Sequence, residues 1–289
     1  MKTYATIALT AILLLATITS CIRDDNDLSK CFYRIKIEQR WIDSEPVRAN
    51  DSTQLEIKFD GNSRSLNSGY EGRYVDLIPN IYDIIGFEPT HNVSINNNIV
   101  SVSVNSDGSA MEPGPFTAGE ISAEVYSVAE DQLIILPMRR QTRELIVKVK
   151  ITGDGLSLIN GMTGSLSGIA ISREVNSCFP PVDGKNRPSA ARSGVISYSF
   201  QEDTDQWFVG SNTLLGIDGN SQQNLSLNIN FINGEATDIS QDVTGGMTGF
   251  HTQDIAKPWY IIIEINLGFD LQATITDWSA GPYSWLIAE

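Results

Sequence analysis

Apolar and polar residues alternate with a period of two along most of this chain, the spacing of strands with one buried face. Tyr33, Ile35 and Ile37 alternate with Arg34, Lys36 and Glu38. Leu55, Ile57 and Phe59 alternate with Glu56 and Lys58 before Asp60-Gly61 turns the chain. Val100, Val102 and Val104 are separated by serines, and Leu145, Val147, Val149 and Ile151 share a face opposite Lys148 and Lys150. Ile196, Tyr198 and Phe200 interleave with Ser197 and Ser199. Leu225, Leu227, Ile229 and Phe231 alternate with Ser226, Asn228 and Asn230, after which Asn233-Gly234 supplies a hairpin-type turn. Ile261, Ile263, Ile265, Leu267 and Phe269 predict one long strand. No dozen residues show helical spacing, and residues 154–162 could form one helical turn at most. Short strands punctuated by Gly, Asn, Asp and Pro predict an all-β fold of antiparallel sandwiches.

The densest basic run, Pro137-Met138-Arg139-Arg140-Gln141-Thr142-Arg143, marks either a boundary between two similar halves or a polar turn within one domain. We place the boundary at 139/140, giving sandwiches over residues 31–139 and 140–289. Glu112-Pro113-Gly114-Pro115 and the stretch from Phe179-Pro180-Pro181 to Pro188 are too rich in proline to donate to a ladder, and are expected at the surface.

The N-terminus carries a different signal. Residues 5–18 are uncharged and mostly Ala, Ile, Leu and Thr, behind Lys2. So short an apolar stretch fits a signal-peptide core, since a spanning helix needs about 20 apolar residues. It ends in Ile18-Thr19-Ser20-Cys21, which resembles the lipobox of a bacterial lipoprotein. Residues 1–20 then leave as a signal peptide, and Cys21 becomes the acylated first residue. Arg23, Asp24, Asp25 and Asp27 follow at once. This acidic cluster resembles the signal that sends Bacteroidetes lipoproteins to the outer face of the outer membrane; it also reads as an extended tether over residues 21–30, kept open by charge repulsion. Acyl chains would hold the protein to outer-membrane lipid without a spanning helix.

Charge narrows the partners. The 289 residues carry 20 Lys and Arg against 35 Asp and Glu, a net charge of −15. Nucleic acid is excluded as a partner, because its binding rests on cations that neutralise phosphates. Beyond Cys21 only Cys31 and Cys178 remain. An oxidising envelope allows them to pair as a disulfide, and buried thiols are the alternative.

Catalytic and cofactor chemistry finds no foothold. His91 and His251 are the only histidines and fall in different halves, so a triad or zinc site would need assembly across distant segments. Hydrogen-bonded surface histidines are expected instead. Asp24, Asp25 and Asp27 lack the glycine and bidentate glutamate of a calcium loop, so no metal site is assigned. Thr244-Gly245-Gly246-Met247-Thr248-Gly249 has no GK[ST] ending and reads as a loop, not a phosphate cradle. Nothing selects a pair of carboxylates for glycoside hydrolysis. Trp41, Trp207, Trp259 and Trp278 could form sugar platforms or core packing. Neither an enzyme nor a cofactor is predicted.

Four segments together resemble the fimbrillin-like surface lipoproteins of the Bacteroidetes, specifically the group related to the minor-fimbria anchor subunit. They are the lipobox with its acidic sequel, Val75 to Phe87, Leu136 to Leu145, and Met162 to Ala170. The resemblance implies two tandem transthyretin-like β-sandwiches. It also implies a fimbrial anchor or accessory subunit acting in adhesion and assembly by β-strand addition, with other fimbrial subunits and host or bacterial surface ligands as partners. In polymerising relatives a protease cuts after an early arginine and frees a groove; Arg40 and Arg48, read as following the first strand, stand in that region. Anchor-type relatives keep the first strand, and we expect no cut here. The apolar end Ala280–Glu289 would be a donor strand or the edge of its own sheet. Asp51-Ser52-Thr53 resembles the O-glycosylation triplet of these bacteria, with Ser52 as acceptor. The alternative function is a stand-alone lipoprotein that binds a glycan or host protein.

Overall fold

The computed structural model describes residues 31–42, 53–68, 72–127, 131–153, 156–175, 190–203, 207–251, 255–267 and 272–280. The first half contains β1 (Tyr33–Trp41), β2 (Thr53–Phe59), β3 (Asn62–Ser68), β4 (Arg73–Leu77), β5 (Asn80–Phe87), β6 (Val93–Asn96), β7 (Ile99–Val102), β8 (Thr117–Val125) and β9 (Gln132–Arg140). The second contains β10 (Arg143–Thr152), β11 (Ile159–Glu174), β12 (Ala190–Glu202), β13 (Trp207–Leu214), β14 (Asn224–Phe231), β15 (Ala236–Asp242), β16 (Trp259–Asn266) and β17 (Gln272–Ala280). The described helical structure is confined to short turns such as Leu156–Leu158 and Gly245–Met247. The fold is all-β, as the alternation predicts.

One strand order occurs twice. β3–β2–β5–β8 and β4–β1–β9 form the layers of the first unit; β12–β11–β14–β15 and β13–β10–β16 repeat that order in the second. The first strand of each runs parallel to the seventh (β1 with β9, β10 with β16) and antiparallel to the fourth (β1 with β4, β10 with β13). A parallel mate requires a long crossover, here the five or more strands between. β17 is an addition, antiparallel on the outer edge of β16.

Each unit closes on its own core. Ile35, Ile37, Leu55, Ile57, Val75, Tyr82, Leu136 and Met138 make one cluster. Leu145, Val147, Leu166, Ile196, Leu227, Phe250, Trp259 and Ile263 belong to a larger one. These are the inward members of the alternating runs. The turns follow local chemistry: Asp60 and Gly61 between β2 and β3, and Asn97 and Asn98 between β6 and β7, all have positive φ, as type I′ hairpin turns demand.

The β6–β7 hairpin precedes residue 140 in sequence yet joins the second unit. Ser101, Val100 and Ile99 pair with Ser172, Arg173 and Glu174 at the far end of β11. Val100 and Val102, with Ala110 and Phe116, pack into the larger core. Alternation predicted the strand; only topology assigned it to the other core.

Two expectations are corrected here. Pro113 and Gly114 are buried rather than at the surface, because the Gly114 N–H donates to the His91 carbonyl at 3.1 Å and a side chain at 114 would strike Thr90 and His91. The long strand predicted through Phe269 ends at Asn266.

Candidate functional site

β1 occupies the centre of the β4–β1–β9 layer. Tyr33 to Ile37 pair with Leu77 to Arg73 on one side, and Ile35 to Trp41 with Gln132 to Met138 on the other. Its inward residues Ile35 and Ile37 are fully buried and Gln39 nearly so. Withdrawing β1 would leave the edges of β4 and β9 facing each other and uncover Val75, Leu77, Ile134 and Leu136. Such a gap offers main-chain hydrogen bonds on both sides and pockets for alternate side chains, which is how an extended segment is recognised by strand addition. The two buried isoleucines alone contribute about 3–6 kcal/mol to holding the strand, at about 1.5–3 kcal/mol each. The chain fills its own groove.

Arg40 lies within β1, opposite Pro137, and not after the strand as expected. The strand runs on because Trp41 continues the inward alternation. Arg48 lies outside the described residues, as do Cys21, Arg23, Asp24, Asp25, Asp27, Ser52 and Cys178. Cys31 is half-buried just before β1; its pairing with Cys178 therefore falls outside the described part. Of the C-terminal segment, Ala280 closes β17 on the chain's own sheet and residues 281–289 lie outside.

The connection between the units is a buried hub. Only Gln141 and Thr142 separate β9 from β10, and both are buried, as is Arg143. The Gln141 N–H donates to the Phe116 carbonyl at 2.7 Å, and the Phe116 N–H to the Thr142 hydroxyl at 2.9 Å. Arg143 donates to the carbonyls of Lys257 (2.8 Å) and Phe250 (2.6 Å) and lies 4.9 Å over the Trp259 ring. Arg173, fully buried, donates to the carbonyls of Leu215 and Gln141. Reading 137–143 as one basic run hides this. The signal that could have found Arg143 is parity, since it shares the inward register of Leu145 and Val147.

His91 is exposed, but His251 is buried, against the expectation of a surface histidine. Its Nε2 lies 3.1 Å from the Ile217 N–H and accepts from it, and its ring stands edge-on to Phe250 at 5.4 Å. Trp259 is core, with its indole N–H donating to the Gly246 carbonyl at 3.0 Å. The glycine-rich Thr244–Gly249 segment thus seats a tryptophan. Trp41 and Trp207 are half-buried, and the side chain of Trp278 lies outside the described part.

On the outward face of β3–β2–β5–β8, burial raises the pKa of Glu120, helped by nearby Asp83 and Glu174 and opposed by Asn98 and Lys58. Asn98, in the β6–β7 turn, donates to Glu120 at 3.5 Å. A polar trough of about 450 Å³ opens where β12 and β13 diverge, lined by Ser199, Gln201, Glu202, Asp203, Val209 and Ser211. Among the described residues no three His, Cys, Asp or Glu gather as metal ligands, and no helix is long and apolar enough to cross a membrane.

No protein-family model matches the chain, and no curated protein sequence does. Solved structures do. A candidate adhesin from Bacteroides ovatus superposes with a TM-score of 0.63 at 13% identity, over 85% of this chain and 93% of that one. The fimbrial anchor protein Mfa2 from Porphyromonas gingivalis gives 0.59 at 11% identity, over 86% and 97%. A candidate polysaccharide-binding protein from Bacteroides thetaiotaomicron gives 0.55 at 12%, over 87% and 99%. The chain shares its fold with this group of Bacteroidetes proteins along nearly their whole length.

Proposed function

We propose that this chain is a lipid-anchored surface subunit of fimbria-like structures, working in adhesion and assembly and not in catalysis. Residues 1–20 are the signal peptide, Cys21 carries the acyl chains, the segment with Arg23, Asp24, Asp25 and Asp27 directs export, and residues 21–30 tether two sandwiches outside the outer membrane. The observation that carries this reading is β1 seated between β4 and β9, in a fold shared with a fimbrial anchor protein. A subunit that keeps its own first strand has no vacant groove in that unit and suits the base of a filament, where growth needs only one partner. Its partners are then other fimbrial subunits and outer-membrane lipid. Palmitate labelling that is lost in Cys21→Ala, together with recovery of the chain in sheared filaments, is the expected result. Absence from filaments, with filaments unchanged on deletion, would overturn the assembly role.

The stand-alone binding lipoprotein is favoured by one feature, the trough between β12 and β13. Its hydroxyls, amide and carboxylates suit sugar hydroxyls. Saturable glycan-array binding by the monomer, abolished by Ser211→Trp, would favour this reading over assembly.

A further inference from the structure

The first unit is polarised across its two layers. On the outward face of β3–β2–β5–β8, Glu56, Asp83, Glu120 and Glu124 surround the single Lys58, by register. Exposed Ile81 and Tyr126 lie at its end, and the β6–β7 turn covers part of it through Asn97 on Lys58 and Asn98 on Glu120. The outward face of β4–β1–β9 is different. Four of the ten large apolar side chains exposed among the described residues lie on it or at its rim: Phe32 (73%), Leu133 (55%), Ile42 (50%) and Tyr74 (47%). Its cations are Arg34, Lys36, Arg40 and Arg139, against Glu38, Asp76 and, just before β9 beside Arg34, the exposed Asp131. Lys36 sits at the centre, in register with Tyr74 on one side and Leu133 on the other, while the Arg34 guanidinium lies 4.2 Å over the Tyr74 ring. A face that is net basic in a chain of net charge −15 is not explained by the packing of either core.

We propose that the outward face of the β4–β1–β9 layer rests on an anionic lipid surface, that of the membrane holding the tether. This rests on the anchor reading above. The tether joins the fold at Cys31-Phe32, on the edge of this face. Its ten residues, 21–30, span at most about 35 Å even when fully extended, so this end of the unit stays near the bilayer whatever its orientation. Between the two broad faces the membrane selects by chemistry. Exposed aromatic and aliphatic side chains among Lys and Arg favour the headgroup region, whereas the acidic opposite face is repelled by anionic headgroups. The sandwich therefore lies on its β4–β1–β9 side, with the acidic layer turned away from the bilayer.

The test uses the full acylated chain added to preformed phosphatidylcholine vesicles containing phosphatidylglycerol. Flotation reads anchoring, and modification by a water-soluble amine acylating reagent, quantified at Lys36 and at exposed Lys257 of the second unit, reads orientation. Phe32→Glu combined with Leu133→Glu is the comparison; both side chains are exposed, so neither core is touched. We expect both proteins to float, with the Lys36-to-Lys257 ratio several-fold lower in the parent. Equal ratios in floated parent and variant overturn the proposal while leaving the anchor intact. Failure of the parent to float overturns the anchor reading, and the proposal with it. Lys36 protection that needs no vesicles and grows with protein concentration identifies a second copy on this face and also overturns it.

Discussion

Nη2 of Arg173 on β11 donates to the main-chain carbonyl of Gln141 across 2.7 Å, so a strand of the second unit grips the two-residue link between β9 and β10. Gln141 answers toward the first unit, its side-chain amide reaching the Ala118 carbonyl at 3.2 Å. With the β6–β7 hairpin paired to the same strand, the units are joined by buried hydrogen bonds and by first-half residues such as Val100 and Phe116 packed into the second core, rather than by a hinge.

Arg173→Ala leaves the Gln141 and Leu215 carbonyls buried without this donor, at a cost of about 1–3 kcal/mol for each unsatisfied group. We expect the urea midpoint to fall clearly, and Arg173→Lys to recover only part of the loss because an ammonium lacks the planar fork. A midpoint unchanged in Arg173→Ala would show that the grip is dispensable.

Gly119 on β8 lies against β9 where the two strands cross between layers, and a side chain there would run into the Pro137 carbonyl. Gly119→Ala must push the strands apart, with an expected cost of about 1–3 kcal/mol from overpacking. Thermal unfolding checks this; Gly61→Ala is the contrast, since nothing stands near its added methyl and only its positive φ is penalised.

Glu120 titrates above the usual glutamate value of 4.5 because burial disfavours its charge. The fold therefore holds this proton better than the unfolded chain does. Its contribution is full below the usual value and is lost as pH rises through the raised one. Glu120→Gln should match the parent at acidic pH, exceed it at neutral pH and flatten the stability profile between. An unaltered profile would contradict the sign.

Replacing both Ile35 and Ile37 with Glu puts two charges where β1 meets the first core. The strand should detach, so that limited proteolysis removes the N-terminal segment while the environment of Trp259 in the second core is retained. Added peptide with the sequence Tyr33–Trp41 should then restore protection by filling the gap between β4 and β9. Proteolysis that spares the N-terminus would show that β1 is held by more than its inward face.

Legibility followed the range of the interactions. Ile35 and Ile37, or Leu225 to Phe231, announce strands because two neighbours in sequence decide which side faces inward. Asp60-Gly61 and Asn233-Gly234 announce turns because backbone strain is local. Arg143 was legible only through parity, its charge suggesting the opposite side. The burial of His251 and of Pro113-Gly114 has no local signal, because burial of a polar ring or an irregular loop depends on partners far along the chain, here Ile217 and His91.

The amino-acid sequence by itself determined the all-β class, the inward and outward sides of most strands, the short turns and the acidic balance, since each follows from side-chain period or from composition. Tertiary structure decided that β1 fills its own groove, that the β6–β7 hairpin serves the second core, and that the basic run at 137–143 becomes a buried joint. Those outcomes turn on which distant strand edge and which unpaired carbonyl a segment meets, and a main-chain hydrogen bond carries no record of its partner in the residues beside it.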